Sequence, residues 1–396
     1  MVACAHTAAA QEPRRREPHS LDLTINDVGL SFGNSRRVTG LRLNWRDEGV
    51  IRVNGINITL WVPGANPDAT TSGLALGLLA PGAATIRGIA LGGGGVRAER
   101  RLTGLSVGGF AVTSGGTVSG ITLGGLALTA GGDVAGVNVA GLAVRSGGAM
   151  AGINVAGASV IAAGGGRGIT VAGLATVAQR RLTGINVGGL AVITEGPLTG
   201  VTAAGIGIAA RGDMTGLGVA GLATFSSGMM RGVHAGGLAV LAESGVSGVS
   251  VGGLAVVSSG AVHGVTVAGA AVMAGRDIRG VTVAGLGVVA DGDVRWLTLS
   301  GGTLVATGEA SGVMAGLYRV RSPRVTGVAV SALQLRTAQL RGASVAAYND
   351  VHQQRGISIG IYNDARRLRG VQIGLLNRAR NNPPALRWLP VVNAHF

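Results

Sequence analysis

Between residues 88 and 312, apolar and small polar positions return every sixteen residues without an insertion or deletion. Each unit opens on a glycine (Gly88, Gly104, Gly120 and onward to Gly312), and a second glycine follows five places later, at Gly93, Gly109, Gly125 and onward. Only the step at Trp296 lacks the leading glycine. With that glycine numbered zero, positions one and three are aliphatic (Val137 and Val139, Ile153 and Val155). So are positions six and eight (Leu142 and Val144, Leu254 and Val256), and position fourteen is mostly apolar (Val118, Val134, Leu182). Position two is small and usually polar, as in Thr122, Asn138, Asn154, Thr170, Asn186 and Thr202, while position four is Ala, Gly or, once, Ser300.

Alternation with period two marks positions one to three and six to eight as strands. The phase switches between them. A corner at positions four and five would repair it and turn both aliphatic sets inward, glycine there supplying positive φ and room for close backbone approach. One unit then makes one coil, and coil stacks on coil. The expected fold is all-β: a parallel β-solenoid of about 22 coils from Gly40 to Gly370, mostly sixteen residues per coil.

The alternative is an outer-membrane β-barrel with one strand per unit, which the terminal Phe396 and the alternation before it favour. Barrel strands run antiparallel, so short and long turns should alternate, and interfacial girdles should be aromatic. The turns do not alternate, and residues 104–290 hold only Phe110 and Phe225 as aromatics. The solenoid is therefore preferred.

Around the strict array the sequence divides into further segments. Residues 1–19 read as a truncated signal-peptide or lipoprotein-box remnant and a flexible arginine-rich start, which implies export. Residues 20–87 form an N-terminal cap and degenerate coils, with Trp45 and Trp61; residues 88–326 are the regular solenoid. Residues 327–382 are shorter coils led by Gly327, Gly342, Gly356 and Gly370, and 383–396 a C-terminal cap. Three short coils carry Asn349, Asn363 and Asn377 at position seven, where stacked amides would form a ladder.

Composition changes the picture mainly through charge. Gly is 73 of 396 residues and aromatics are 3%, which fits a thin core of small and branched side chains. The net charge is +15, and all 33 basic residues are arginine. From residue 295 onward, 13 arginines face only Glu309, Asp350 and Asp364, a difference of +10. Arg341, Arg355 and Arg369 each precede a leading glycine, so they should stack as a column inviting an anionic partner such as lipopolysaccharide phosphate or an acidic glycan, unless Asp350 and Asp364 offset them. A nucleic-acid groove, which needs basic residues interleaved with stacking aromatics, is not indicated. Glycine interrupts every apolar run, so no transmembrane helix is expected.

The closing GISIGIYN, GVQIGLLN and LPVVNAHF resemble bacterial surface-repeat proteins with tandem Gly-x-x-x-Gly-Leu-x-Asn units. The resemblance implies export and surface association, at the cell surface or in the outer membrane or periplasm, and carries no catalytic residues. Chemistry is otherwise sparse. Cys4 is the only cysteine, so no disulfide or cysteine-based zinc site forms within one chain. His234 and His263 fall on different coils and read as solvent-facing, and no carboxylate pair recurs for acid–base work. The expectation is a non-enzymatic exported scaffold or adhesion module with no cofactor and no metal. The position-two column (Thr122, Asn138, Asn154, Thr170, Asn186, Thr202) would be its long flat contact face. That face could serve homo-association, an envelope component or ice; the basic C-terminal part could meet a membrane surface.

Overall fold

The computed structural model describes residues 20–64 and 66–396, so the expected export remnant, with Cys4, lies outside the described residues. Two compact units divide the chain, residues 1–147 and 148–396. In each, the chain winds as a parallel β-solenoid, about 20 turns in all at about 16 residues per turn.

In the first unit Val134–Ala140 lies parallel on Thr117–Gly124, with Gly136 against Gly120 and Asn138 against Thr122. Ala143–Ser146 lies likewise on Ala127–Ala130. In the second unit Leu198–Ala204 stacks on Leu182–Gly188, and Gly207–Ala210 on Ala191–Thr194. Neighbours that run the same way overturn the barrel alternative. Among the described residues, antiparallel pairing is confined to Ser20–Ile25 with Val28–Gly33, and to Trp388–His395 with Gly370 to Arg378 at the end of Tyr348–Ala379. The first of these pairs turns at Asn26 and Asp27, both at positive φ.

At positions one to three and at six, each coil faces the reverse way from the sequence expectation. Position two is inside: Thr122 and Asn138 in the first unit, and Asn154, Thr170, Asn186 and Thr202 in the second, are all buried. Position four joins it, with positions eight, ten and fourteen, as in Leu128, Ala130 and Val134. Positions one, three and six point outward (Ile121, Leu123 and Leu126; Val265, Val267 and Leu254). Only the aliphatics at eight and fourteen are core, as expected.

The physical reason lies in the leading glycine. Gly136, Gly184 and Gly200 have φ of 104°, 111° and 113°, so the bend that needs positive φ sits at position zero, not at positions four and five. It splits the longer strand of the coil into two short sides. The position-five glycine serves close approach instead, since a Cβ on Gly125 or Gly189 would come closer than 3.0 Å to the carbonyl oxygen of the glycine one coil earlier. Three short sides enclose a narrow interior, which admits Ala or Gly at four and Thr or Asn at two. The larger aliphatics at one and three stack in files outside, each half covered by its equals on adjacent coils.

Toward the C-terminus the interior changes chemistry. Asn349 takes the register place of Leu335, so a buried amide replaces a position-eight aliphatic. Asn349 Nδ2 donates to Asn363 Oδ1 at 2.7 Å, and Asn363 Nδ2 to Asn377 Oδ1 at 2.7 Å. Second donations reach the backbone, from Asn349 to Ile359 O at 3.1 Å and from Asn363 to Ile373 O at 3.0 Å. The donors placed this way offset most of the desolvation cost of the amides, while Asn349 Oδ1, at the head of the ladder, is buried without a partner.

Candidate functional site

The exterior of the second unit carries files of aliphatic side chains and a column of arginines. Position one presents a file of exposed aliphatics, among them Ile185, Val201, Val233, Val265, Val313 and Ile357. Position three adds Val219, Val251, Val330, Val345, Ile359 and Ile373. Between the position-three file and position five runs a shallow apolar cleft of about 750 Å³, lined by Leu317, Val330, Val345, Ile359, Ile361 and Ile373 with small residues between them. Scattered exposed aliphatics are ordinary on proteins, and contiguous files such as these are what make this side a candidate contact surface.

One step before each leading glycine, on the other side of the bend, lies the arginine column. Arg341 and Arg355 are register partners, and Gly370 sits directly on Gly356, which brings Arg369 next to Arg355. All three are exposed. Their expected counter-charges go elsewhere: Asp350 pairs with Arg336 at 3.3 Å, and Asp364 with Arg380 at 2.6 Å and Arg378 at 3.8 Å. Among the described residues, no carboxylate lies within 4.0 Å of Arg341, Arg355 or Arg369. Three earlier arginines of the same column, Arg231, Arg279 and Arg295, are compensated among the described residues, whereas Arg167 is not. Arg279 pairs with Asp277 at 2.6 Å and Arg295 with Asp293 at 2.7 Å. Those two aspartates also accept the backbone N–H of the next coil, Asp277 from Asp293 at 3.0 Å and Asp293 from Glu309 at 2.8 Å. These backbone donors, more than the arginines, hold both carboxyls below their usual pKa.

The flat polar face is thus withdrawn from the surface, because its residues fill the interior, and an ice-ordering threonine face loses its residues with it. His234, also at position two, is buried rather than solvent-facing, while His263 is exposed. Sequence reasoning also missed Arg42. This arginine occupies position two of the coil led by Gly40, is fully buried, and pairs with buried Asp47. Its Nη1 donates to Asn57 Oδ1 at 2.9 Å, and Thr59 donates to Asp47 at 2.6 Å. Its place in the small-residue column was the available signal. A charge there must bring its partner inside with it.

The short coils also carry an external aromatic stack. Tyr348 and Tyr362 lie 5.2 Å apart and Tyr362 and Trp388 6.1 Å, with the Arg378 guanidinium 4.6 Å from the Trp388 ring. Because the rings cover each other, the stack fastens the C-terminal strand rather than offering a free stacking platform.

Among the described residues, no group of three or more His, Cys, Asp or Glu is placed to hold a metal ion. No helix there is long and apolar enough to cross a membrane. No protein-family model, curated protein or solved structure matches the chain.

Proposed function

We propose that this chain is a non-enzymatic scaffold of the cell envelope, exported and lying with the aliphatic files and arginine column of its second unit against an anionic lipid surface. The observation that carries the reading is the juxtaposition of Arg341, Arg355 and Arg369, without acidic partners, and the exposed Ile357, Ile359 and Ile373 two to four residues further along the same coils. An acidic glycan would satisfy the arginines and leave the aliphatic files in water. An anionic lipid layer satisfies both, phosphate on guanidinium and acyl boundary on aliphatic side chains.

Vesicle co-sedimentation tests this. The purified protein is expected to bind vesicles of mixed phosphatidylglycerol and phosphatidylcholine, to release as salt rises, and to ignore phosphatidylcholine alone. At about 1 kcal/mol per arginine near an anionic surface, Arg341→Ala/Arg355→Ala/Arg369→Ala should weaken binding on the order of 100-fold. Equal binding by the triple variant would reject the column as the contact. Self-assembly without any vesicle binding would assign the aliphatic files to a second copy of the chain instead.

A further inference from the structure

We infer that Trp296 is an interfacial anchor, a side chain that enters the boundary between headgroups and acyl chains when the second unit lies on an anionic lipid layer. The inference rests on the lipid-surface reading above and adds a separate observation. Trp296 occupies position zero, in register with Gly280 on one coil and Gly312 on the other. Its φ is +90°, in the region that the glycines of this file occupy at little cost and that a tryptophan does not. At both neighbouring steps a Cβ would come within 3.0 Å of the carbonyl oxygen one coil before. Glycine is what the fold requires there.

The ring returns little to the fold in exchange. Trp296 is 74% exposed, and among the described residues it takes part in no ring stack or cation–π contact. A strained residue that the surrounding packing does not use points to a role outside the chain.

Its position says which role. Trp296 stands on the bend where two sides of the coil meet. On one side are Arg279 and Arg295, on the other Leu297 and Leu299. The ridge therefore passes from guanidinium through an indole to aliphatic side chains, in the order met on crossing from headgroups into acyl chains. An indole, with an apolar body and one N–H, suits that boundary.

Trp296→Gly restores the file, and two opposite effects are expected from it. The midpoint of thermal unfolding should rise, since strain is removed and little packing is lost from a side chain that is 74% exposed. Affinity for phosphatidylglycerol vesicles should fall at least about tenfold, the worth of burying one large side chain. With vesicles whose acyl chains carry bromine, tryptophan emission of the native protein should be quenched, and the variant should lose most of that quenching. Absence of vesicle binding by the native protein would overturn both this inference and the lipid-surface reading. Native binding with an equally tight Trp296→Gly variant and unchanged quenching would overturn the anchor alone. A lower thermal midpoint in Trp296→Gly would refute the strain argument, and the quenching difference would then decide the contact by itself.

Discussion

His234 enters the interior file only because the coil before it leaves room. Gly218 is its register partner, and a Cβ there would stand 2.9 Å from His234 Nδ1. The imidazole Nε2 donates to the Arg231 carbonyl at 3.2 Å, and Nδ1 is buried without a partner. Burial pushes the His234 pKa below its ordinary 6.5, outweighing the backbone hydrogen bond that acts the other way. The neutral ring is the folded form, so the unfolded chain binds the proton more readily. This part of the stability is complete above 6.5 and is lost as pH falls from there toward the depressed value. Asp277 and Asp293, also depressed, act in a separate window: their contribution is kept above 3.8 and lost only as pH falls through the carboxylate range. The urea midpoint is therefore expected to drop between about pH 7.5 and about pH 5 in the native protein. Gly218→Thr/His234→Thr, which restores the threonine file, should remove that drop. An unchanged drop in the double variant would place its source elsewhere.

At the scale of the coil, the same substitution has opposite signs at two glycines of the second unit. Gly184 has φ of +111°, and a Cβ there would press on the Gly168 carbonyl, so Gly184→Ala should cost at least about 2 kcal/mol. Gly207 stands at position seven between Ala191 and Ala223, where a Cβ meets only ordinary contact at 3.5 Å. Gly207→Ala should stabilise by about 0.4–1 kcal/mol, because the unfolded chain loses freedom. Denaturant midpoints of the two variants on either side of the native value are the expected result. The period, the parallel coil and the need for glycine were all legible in the sequence, because each follows from an unbroken register. Which face turned inward was not. Alternation gives the parity of a strand but not its direction, and the larger aliphatics at Val137 and Val139 drew the interior to the wrong side. The informative sign was volume: position four never exceeds serine in the strict array and position two stays small over most of it, as a narrow interior demands, whereas position one varies freely among Val, Ile and Leu and position three is Val or Leu except at Ala203, Ala235 and Ala315. The arginine column was legible as spacing, but its lack of counter-charge was not, since only side-chain geometry assigns Asp350 to Arg336 and Asp364 to Arg380.

For a molecule made of stacked parallel coils, the hazard lies at the ends, where the last coil offers a row of unpaired backbone groups to any other strand. Each unit carries one antiparallel strand at such a place: Ser20–Ile25 in the first, Trp388–His395 in the second. The latter is held by more than its ladder. Asn377 Nδ2 donates to Leu389 O at 3.3 Å, extending the amide ladder into the last strand, and Asn393 lies buried with Asn382 Nδ2 donating to it at 2.8 Å. Reversal of direction matters as much as coverage. Within the array every step is parallel and in register, so an uncapped final coil matches the underside of a coil from another molecule, whereas an antiparallel strand breaks that match. Removal of residues 388–396 should therefore leave the coils folded and free the edge from Gly370 to Arg378 for addition of further chains. Sedimentation velocity over a concentration series is expected to show assemblies that grow with protein concentration in the truncated protein and not in the intact one. A truncated protein that sediments as the intact one does at every concentration would mean that Arg366, Arg367 and Arg369, all exposed, keep strands apart by charge alone. Raising the salt concentration, which screens such repulsion over about 8 Å at physiological strength and less above it, would then bring the assemblies back.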